Sequence, residues 1–378
     1  MPGSRAGRFV KQPPGYVAFI PAPLPPDPPL EFDAALRNLL SEADQAVGRL
    51  DGVAQLLPNP DLYVAMYVRR EAVLSSQIEG TQSTLEDVLN FELGGGRAGL
   101  PEDVEEVVNY VHALNFGLHR LPDLPISRRL IRELHARLLS TGRGSRKQPG
   151  EFRTTQNWIG GESARIEDAS FVPPPPAEMD AALDDLERFL NDSSDLPALI
   201  QAALAHAQFE TIHPFLDGNG RVGRLLITLL LVHRGILAKP LLYLSYYLKR
   251  HRLEYYDRLT AIRADGDWEG WLRFFLRGVA ETATEATRLA RDIVALREEH
   301  RTKLQAAGAS GRGLDLLDFL FDRPVVNVNV VAERLGLSFG GARKLVERFV
   351  EAGLLVETTG QQRNRRFGYQ PYLDLLNR

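Results

Sequence analysis

Residues 213–224, HPFLDGNGRVGR, bring one histidine, one carboxylate, one side-chain amide, three glycines and two arginines into twelve positions. A packed core does not use such a mixture, and a solvated loop does not need it. The flanks, LIQAALAHAQFETI before and LLITLLLVHRG after, are apolar at helical spacing. They predict two buried helices joined by a short polar loop whose second half enters the later helix.

The chemistry of that junction can be read group by group. Gly218, Gly220 and Gly223 let the main chain turn sharply and let a ligand approach it closely. At a helix start such a loop aims unpaired N–H groups at one point, with the dipole adding positive potential, which makes an anion site. Arg221 and Arg224 lie three apart in the first turn, on one helical face, where their charge works against the dipole unless a polyanion such as a phosphate chain sits between them. Asp217 offers a hard oxygen suited to magnesium held together with substrate phosphates. Asn219 can donate to a phosphate oxygen and steady the loop, and His213, at the mouth, can accept a proton from an incoming hydroxyl.

The rest of the chain sets the frame. Its 378 residues allow two or three domains. A net charge of −4 carries no nucleic-acid or membrane signature, and the absence of cysteine excludes disulfides and thiol catalysis. The longest apolar run, LLITLLLV, is too short to span a bilayer, so a soluble, cytoplasmic protein is expected. Residues 1–30 read as a proline-rich arm, either a tail or a strap across a domain. Helical patterns fill 31–118, with a break at Gly94, Gly95 and Gly96, and resume in ISRRLIRELHARLLS. TTQNWIGG reads as a strand with a turn, one arm of a hairpin. Helices return with AEMDAALDDLERFL and run to about Arg301, followed from Gly311 by a helix-turn-helix pattern and a two-stranded wing.

HPFLDGNGRVGR fits without a gap the His-x-Phe-x-Asp/Glu-Gly-Asn-Gly-Arg-x-x-Arg signature of Fic proteins, which the chain resembles from about Leu30 to Leu276. QNWIGG is similar to the family's flap, so Trp158, Ile159, Gly160 and Gly161 would position a target chain. The resemblance implies a mainly α fold: a Fic-type helical core over 119–280 with a β-hairpin flap, an N-terminal helical region over 31–118, a connecting helix over 281–310 and a winged helix-turn-helix over 311–378. It implies transfer of AMP from ATP to a Ser, Thr or Tyr hydroxyl of a protein, with His213 as general base and Asp217 holding magnesium. ATP binding falls to Phe215, Leu216, Gly218, Asn219, Gly220, Arg221, Arg224, Tyr255 and Tyr256. Phe215 anchors the loop, Arg224 takes the γ-phosphate, and the tyrosines match a pair near the nucleotide whose rings could equally be core. Relatives that phosphorylate replace the two loop glycines by alanine and lysine; Gly218 and Gly220 are kept here.

A second motif, LSSQIEGTQS, places Ser75 and Glu79 on one helical face, with Gly80 letting the chain turn away. It resembles the Ser/Thr-x-x-x-Glu-Gly/Asn inhibitory helix of Fic proteins, which implies that Glu79 competes with the γ-phosphate for Arg224. Two other functions stay open: a DNA-binding regulator that senses nucleotide, and removal of AMP from a modified protein. The segment 311–378 holds ten basic and eight acidic residues, little for a DNA reader, so protein contact, homodimer formation and DNA contact all remain readings of the tail. Autolabelling is expected of the enzyme, and no membrane partner.

Overall fold

The computed structural model describes residues 5–13, 15–55, 60–94, 99–160, 165–192, 196–308 and 311–377. Gly95, Gly96 and Gly161, named above, lie outside them. The described residues form fifteen α-helices and two small antiparallel sheets, and none of the helices is long and apolar enough to cross a membrane.

The molecule is organised around α7 (Ala198–Ile212), in which every residue from Leu199 to Ile212 is buried. A helix apolar on all sides must be enclosed by others. Its neighbours are α6 (Pro176–Asn191), α8 (Asn219–His233) and the 39-residue α11 (Trp268–Ala306). Trp271 of α11 is fully buried and donates its indole N–H to the Ala203 carbonyl at 2.9 Å, which fixes α11 against the centre. The far side of α11 packs along α1 (Ala34–Gln55), which buries Leu36, Ala43, Ala46, Val47, Leu50 and Ala54. That is a stripe at helical spacing in which the alanines permit close approach.

Six further helices surround the site. α2 (Pro60–Ile78) runs beside α4 (Val104–Arg120), and α4 packs on α5 (Arg128–Leu138). α3 (Leu85–Glu92) opens on a capping box between Thr84 and Asp87. α9 (Ser245–Arg250) and α10 (Arg252–Asp265) follow α8, and α10 ends at Gly266 in the left-handed region, φ 73°.

Residues 5–13 and 15–30 form the arm into a strap. β1 (Gly7–Lys11) and β2 (Val17–Pro21) form an antiparallel hairpin. Phe19 N–H donates to Val172 O at 2.9 Å, Gln208 Nε2 to Ala22 O at 2.8 Å, and Arg5 pairs with Glu269. The hairpin expected at TTQNWIGG is reduced, among the described residues, to one antiparallel bridge between Ile159 and Phe171. Side chains take the place of a ladder there: Gln156 Nε2 donates to the Asn157 and Pro173 carbonyls, both at 2.9 Å, and the proline run that follows lacks N–H donors.

The C-terminal part continues from α11 without a break in the core. α12 (Gly311–Asp322), β3 (Val325–Val326), α13 (Val328–Leu335), α14 (Phe339–Glu351), β4 (Val356–Glu357), β5 (Phe367–Gly368) and α15 (Gln370–Leu376) follow in order, with the sheet ordered β3-β5-β4. This arrangement is compatible with a winged helix. It packs on α2 through α12 and on α11 through α12 and α15.

Candidate active site

α7 stops because His213 precedes Pro214, and a residue before proline is disfavoured in the right-handed helical region. His213 takes φ 49°, ψ 59° and caps the helix, its N–H donating to Phe209 O at 3.0 Å. For a non-glycine residue this conformation costs about 1 kcal/mol, so surroundings must hold it. Arg153 Nε and Asn157 Nδ2 donate to its carbonyl at 3.0 and 3.3 Å. Burial pushes its imidazole down to about 4 against the Glu210 carbonyl, which lies 3.4 Å from Nδ1, with the charges of Arg153 and Arg263 helping. The ring is therefore neutral at pH 7.

The loop beyond it is tied from inside. Phe215 is fully buried and stacks on His135, centroids 3.6 Å apart. Asn219 engages the Phe215 backbone with both ends of its amide: Oδ1 accepts the Phe215 N–H and Nδ2 donates to its carbonyl, each at 2.8 Å. The side chain expected to reach phosphate is thus occupied in steadying the loop, leaving the Asn219 backbone N–H for any ligand. Leu216 is half-buried beside it. His135 takes one tautomer, since its Nδ1 accepts from Gly150 N–H at 2.8 Å and its Nε2 donates to Asp217 O at 3.0 Å. Burial holds it at about 4, against the favourable Asp217 carbonyl.

α8 begins at Asn219 after Gly218, whose φ of 78° requires glycine. The first backbone bond of the helix runs from Val222 N–H to Gly218 O at 3.0 Å, so the N–H groups of Asn219, Gly220 and Arg221 belong to the unpaired first turn. Arg221 is the third residue of α8 and Arg224 the sixth, already in its second turn, and the two do not face one ligand together. Arg221 points to α4, where Nη1 donates to Glu106 Oε2 at 3.2 Å, and lies 3.5 Å from Asp217 Oδ1. Glu106 also holds Arg143, at 2.9 Å. Arg224 points to α2: Nε donates to Ser75 Oγ at 2.8 Å, and Nη2 to Ser75 O at 3.0 Å and to Glu79 Oε1 at 2.6 Å.

Glu79 lies one residue past the end of α2, in a turn closed by Gly80 at φ 95°. Its carboxylate covers the start of α8 so closely that a Cβ at Gly220 would fall 2.3 Å from Oε1. Burial pushes its carboxyl up, but the Arg224 guanidinium outweighs this and holds it below the usual range. Asp217 stays half-exposed at the other side of the loop, its Oδ1 accepting Gly218 N–H at 2.6 Å.

The tyrosine pair divides. Tyr255 is core, its hydroxyl 2.9 Å from His206 Nε2; Tyr256 is 40 % exposed, close enough for the Glu79 charge to add to the effect of burial in raising its hydroxyl. Trp158 and Ile159 are exposed beside the loop segment that Asn157 binds through Phe215 O at 2.9 Å.

Two family profiles match this chain: Fic/DOC family N-terminal over residues 37–119 and Fic/DOC family over 125–231. The second contains the whole loop. The chain belongs to the Fic/DOC family. Among curated Fic relatives, the protein adenylyltransferase Fic of Drosophila grimshawi is 37 % identical over 166 residues, 43 % of this chain and 30 % of that protein. That of Drosophila melanogaster is 37 % identical over 159 residues, 42 % and 28 %. The chain thus spans less than a third of the length of these relatives. A crystal structure of a Fic family protein from Desulfovibrio desulfuricans superposes over 90 % of this chain and 97 % of its own, with a TM-score of 0.58 at 22 % identity. A Fic domain containing signaling protein from Bacteroides thetaiotaomicron covers 68 % and 95 %, with 0.51 at 21 %. These likenesses establish a shared fold.

Several residues of the candidate site carry no local sign in the sequence. Glu106 sits in VEEVVNYV, which reads as an ordinary helix start, and His135 in a helix whose pattern does not mark it. Arg153 is almost fully buried, donating to four carbonyls, those of His213, Thr155, Pro174 and Ile212. Glu210, beneath the loop, has a buried Oε1 with no hydrogen-bond partner among the described residues, and burial raises its carboxyl to about 7 despite Arg224.

Proposed function

We propose that the chain is an autoinhibited protein adenylyltransferase, transferring AMP from ATP to a Ser, Thr or Tyr hydroxyl of a protein. The observation that carries this reading is the Arg224–Glu79 contact laid across the open first turn of α8. An anion site with a neutral imidazole at its mouth is being held by the chain's own carboxylate.

The target oxygen attacks the α-phosphorus and the bond from that phosphorus to the oxygen leading to the β-phosphate breaks, releasing pyrophosphate. The hydroxyl proton passes to the imidazole of His213, which is neutral and free to accept it. The N–H groups of the first turn of α8 and the guanidinium of Arg224 cradle the phosphates. Asp217 would hold magnesium. A single half-exposed carboxylate fits an ion bound mainly by substrate phosphates, and no cluster of three possible ligands occurs among the described residues. When bound, that ion supplies charge neutralisation on the departing phosphates. Trp158 and Ile159 position the target chain, and residues 119–280 act as the catalytic core, with 311–378 as a winged helix packed on α2 and α11.

Incubation with α-labelled ATP tests the reading. The carboxylate is about a third exposed, so its pair with Arg224 lies near the lower end for charged hydrogen bonds, ~1.5 kcal/mol. Glu79→Gly should therefore raise labelling about tenfold, and His213→Ala should cancel the gain. Equal labelling by folded wild type and Glu79→Gly would sink the inhibitory role.

A further inference from the structure

Arg263, on α10, is 8 % exposed and, among the described residues, makes no hydrogen bond and no ion pair; its Nε is buried without a partner. Its guanidinium lies over the Phe171 ring at 3.8 Å. A cation–π contact of this kind does not replace the hydration a buried guanidinium loses, and unpaired buried charges cost several kcal/mol. The neighbouring Glu210 carboxyl is raised to about 7 by burial, so at neutral pH it offsets the arginine only in part. Every other buried arginine around the loop, Arg153, Arg221 and Arg224, is held by carbonyls or carboxylates. Arg221 Nε is also unpartnered, but of these four Arg263 alone makes no hydrogen bond or ion pair among the described residues.

Arg263 also lines a cavity of about 300 Å³ between the N-terminal hairpin, residues 166–172 and α10. Phe9, Val17, Ile166 and Phe171 give it apolar lining, while Thr260 and the exposed Glu167 also line it. The cavity adjoins the flap directly, because Phe171 bridges Ile159 and Val172 accepts from Phe19 of the hairpin. A short aliphatic stem ending in a carboxylate fits an apolar lining that includes one arginine without a hydrogen-bond acceptor among the described residues. A phosphodianion calls for more donors than one arginine provides.

We propose that this cavity is a specificity pocket for an aspartate or glutamate side chain of the target polypeptide, at a fixed offset from the hydroxyl presented at the flap. The proposal rests on the transferase reading for its substrate, but binding can be measured without transfer. Hydroxyl peptides carrying Asp or Glu at each position within four residues of the hydroxyl are paired with their Asn and Gln counterparts. They are titrated onto the full chain bearing Glu79→Gly and His213→Ala, and used as acceptors with Glu79→Gly alone.

The expected result is a preference of tenfold or more for the acid at one offset, in binding and in transfer, lost in Arg263→Gln. Thr260→Glu, an exposed helix position on the same cavity, places a carboxylate within the pocket. It should abolish the preference even if Arg263→Gln fails to fold. Acidic and amide peptides that bind equally would overturn the pocket, and so would a preference that survives both variants. If acid peptides bind selectively but no peptide or protein is labelled, the pocket stands and the transferase reading falls.

Discussion

The loop at 213–224 and the C-terminal part from Gly311 both bear on α2, through opposite kinds of contact. At one end of that helix Arg224 meets Ser75 and Glu79 by charged hydrogen bonds. Towards the other end Phe321 of α12 packs on Tyr63, centroids 5.6 Å apart, and the phenylalanine is itself enclosed by Tyr369 and Tyr372. A charged contact can be exchanged for a ligand of the same charge at modest cost, whereas an aromatic cluster has no soluble substitute. The first is therefore suited to being displaced, and the second to holding the helix still while that happens.

The largest effect that would test this contrast is at the loop itself. His213→Ala should lower AMP transfer by ~10²–10⁴-fold while leaving ATP binding nearly intact, as read by labelling rate and by titration with ATP. Undiminished transfer would remove the imidazole from the chemistry.

On the aromatic side, Phe321→Ala should cost about 3–5 kcal/mol of stability, the usual range for emptying a buried ring, measured by denaturant unfolding. Since the same ring braces α2, labelling should rise while Glu79 is present and gain nothing further in Glu79→Gly. A rise that persists without Glu79 would show that the brace acts elsewhere. The packing of α12 on α2 also speaks against treating the tail as an independent attachment.

The two regions should separate by pH. Glu210, beneath the loop, has a folded value raised to about 7 from an ordinary 4.5, burial being the cause. Its protonated form is favoured in the fold, so the stability it contributes is full below about pH 4.5 and is lost as pH rises through about 7. Glu210→Gln keeps the neutral form at every pH. It should raise Tm relative to wild type more at pH 8.5 than at pH 5, and an equal change at both would mean that the carboxyl titrates normally. The smallest effect belongs to the tail's polar link, Arg366 Nη1 to Asn90 Oδ1 at 3.0 Å. Arg366→Ala should change stability by no more than about 1 kcal/mol, and a larger loss would shift weight from the aromatic cluster to this contact.

The reach of sequence reasoning followed the range of the forces involved. The helical run of α7, its end at His213-Pro214 and the glycine start of α8 depend on neighbours within a turn, and each was legible. Ser75 and Glu79 were legible as one helical face, although Glu79 lies just past the helix. The divergence of Arg221 and Arg224 was not, because spacing places both on one helical face while their directions are set by carboxylates on α4 and just past α2. Asn219 reads from the sequence as both a phosphate donor and a steadier of the loop, and the fold turns its amide inward to Phe215 in the second role.

By itself the sequence determined a helical protein with a buried central helix and a loop whose groups fit phosphate chemistry, since these follow from local periodicity and from the functional groups present. Only the tertiary structure decided which charges are paired. It closed Arg224 with Glu79 and Arg221 with Glu106, moved Tyr255 into the core, drew the N-terminal strap against the flap and left Arg263 buried without an acceptor among the described residues. Those outcomes depend on which elements meet in space, through contacts such as that of Arg224 with Ser75, 149 positions apart, and no local pattern encodes so distant a pairing.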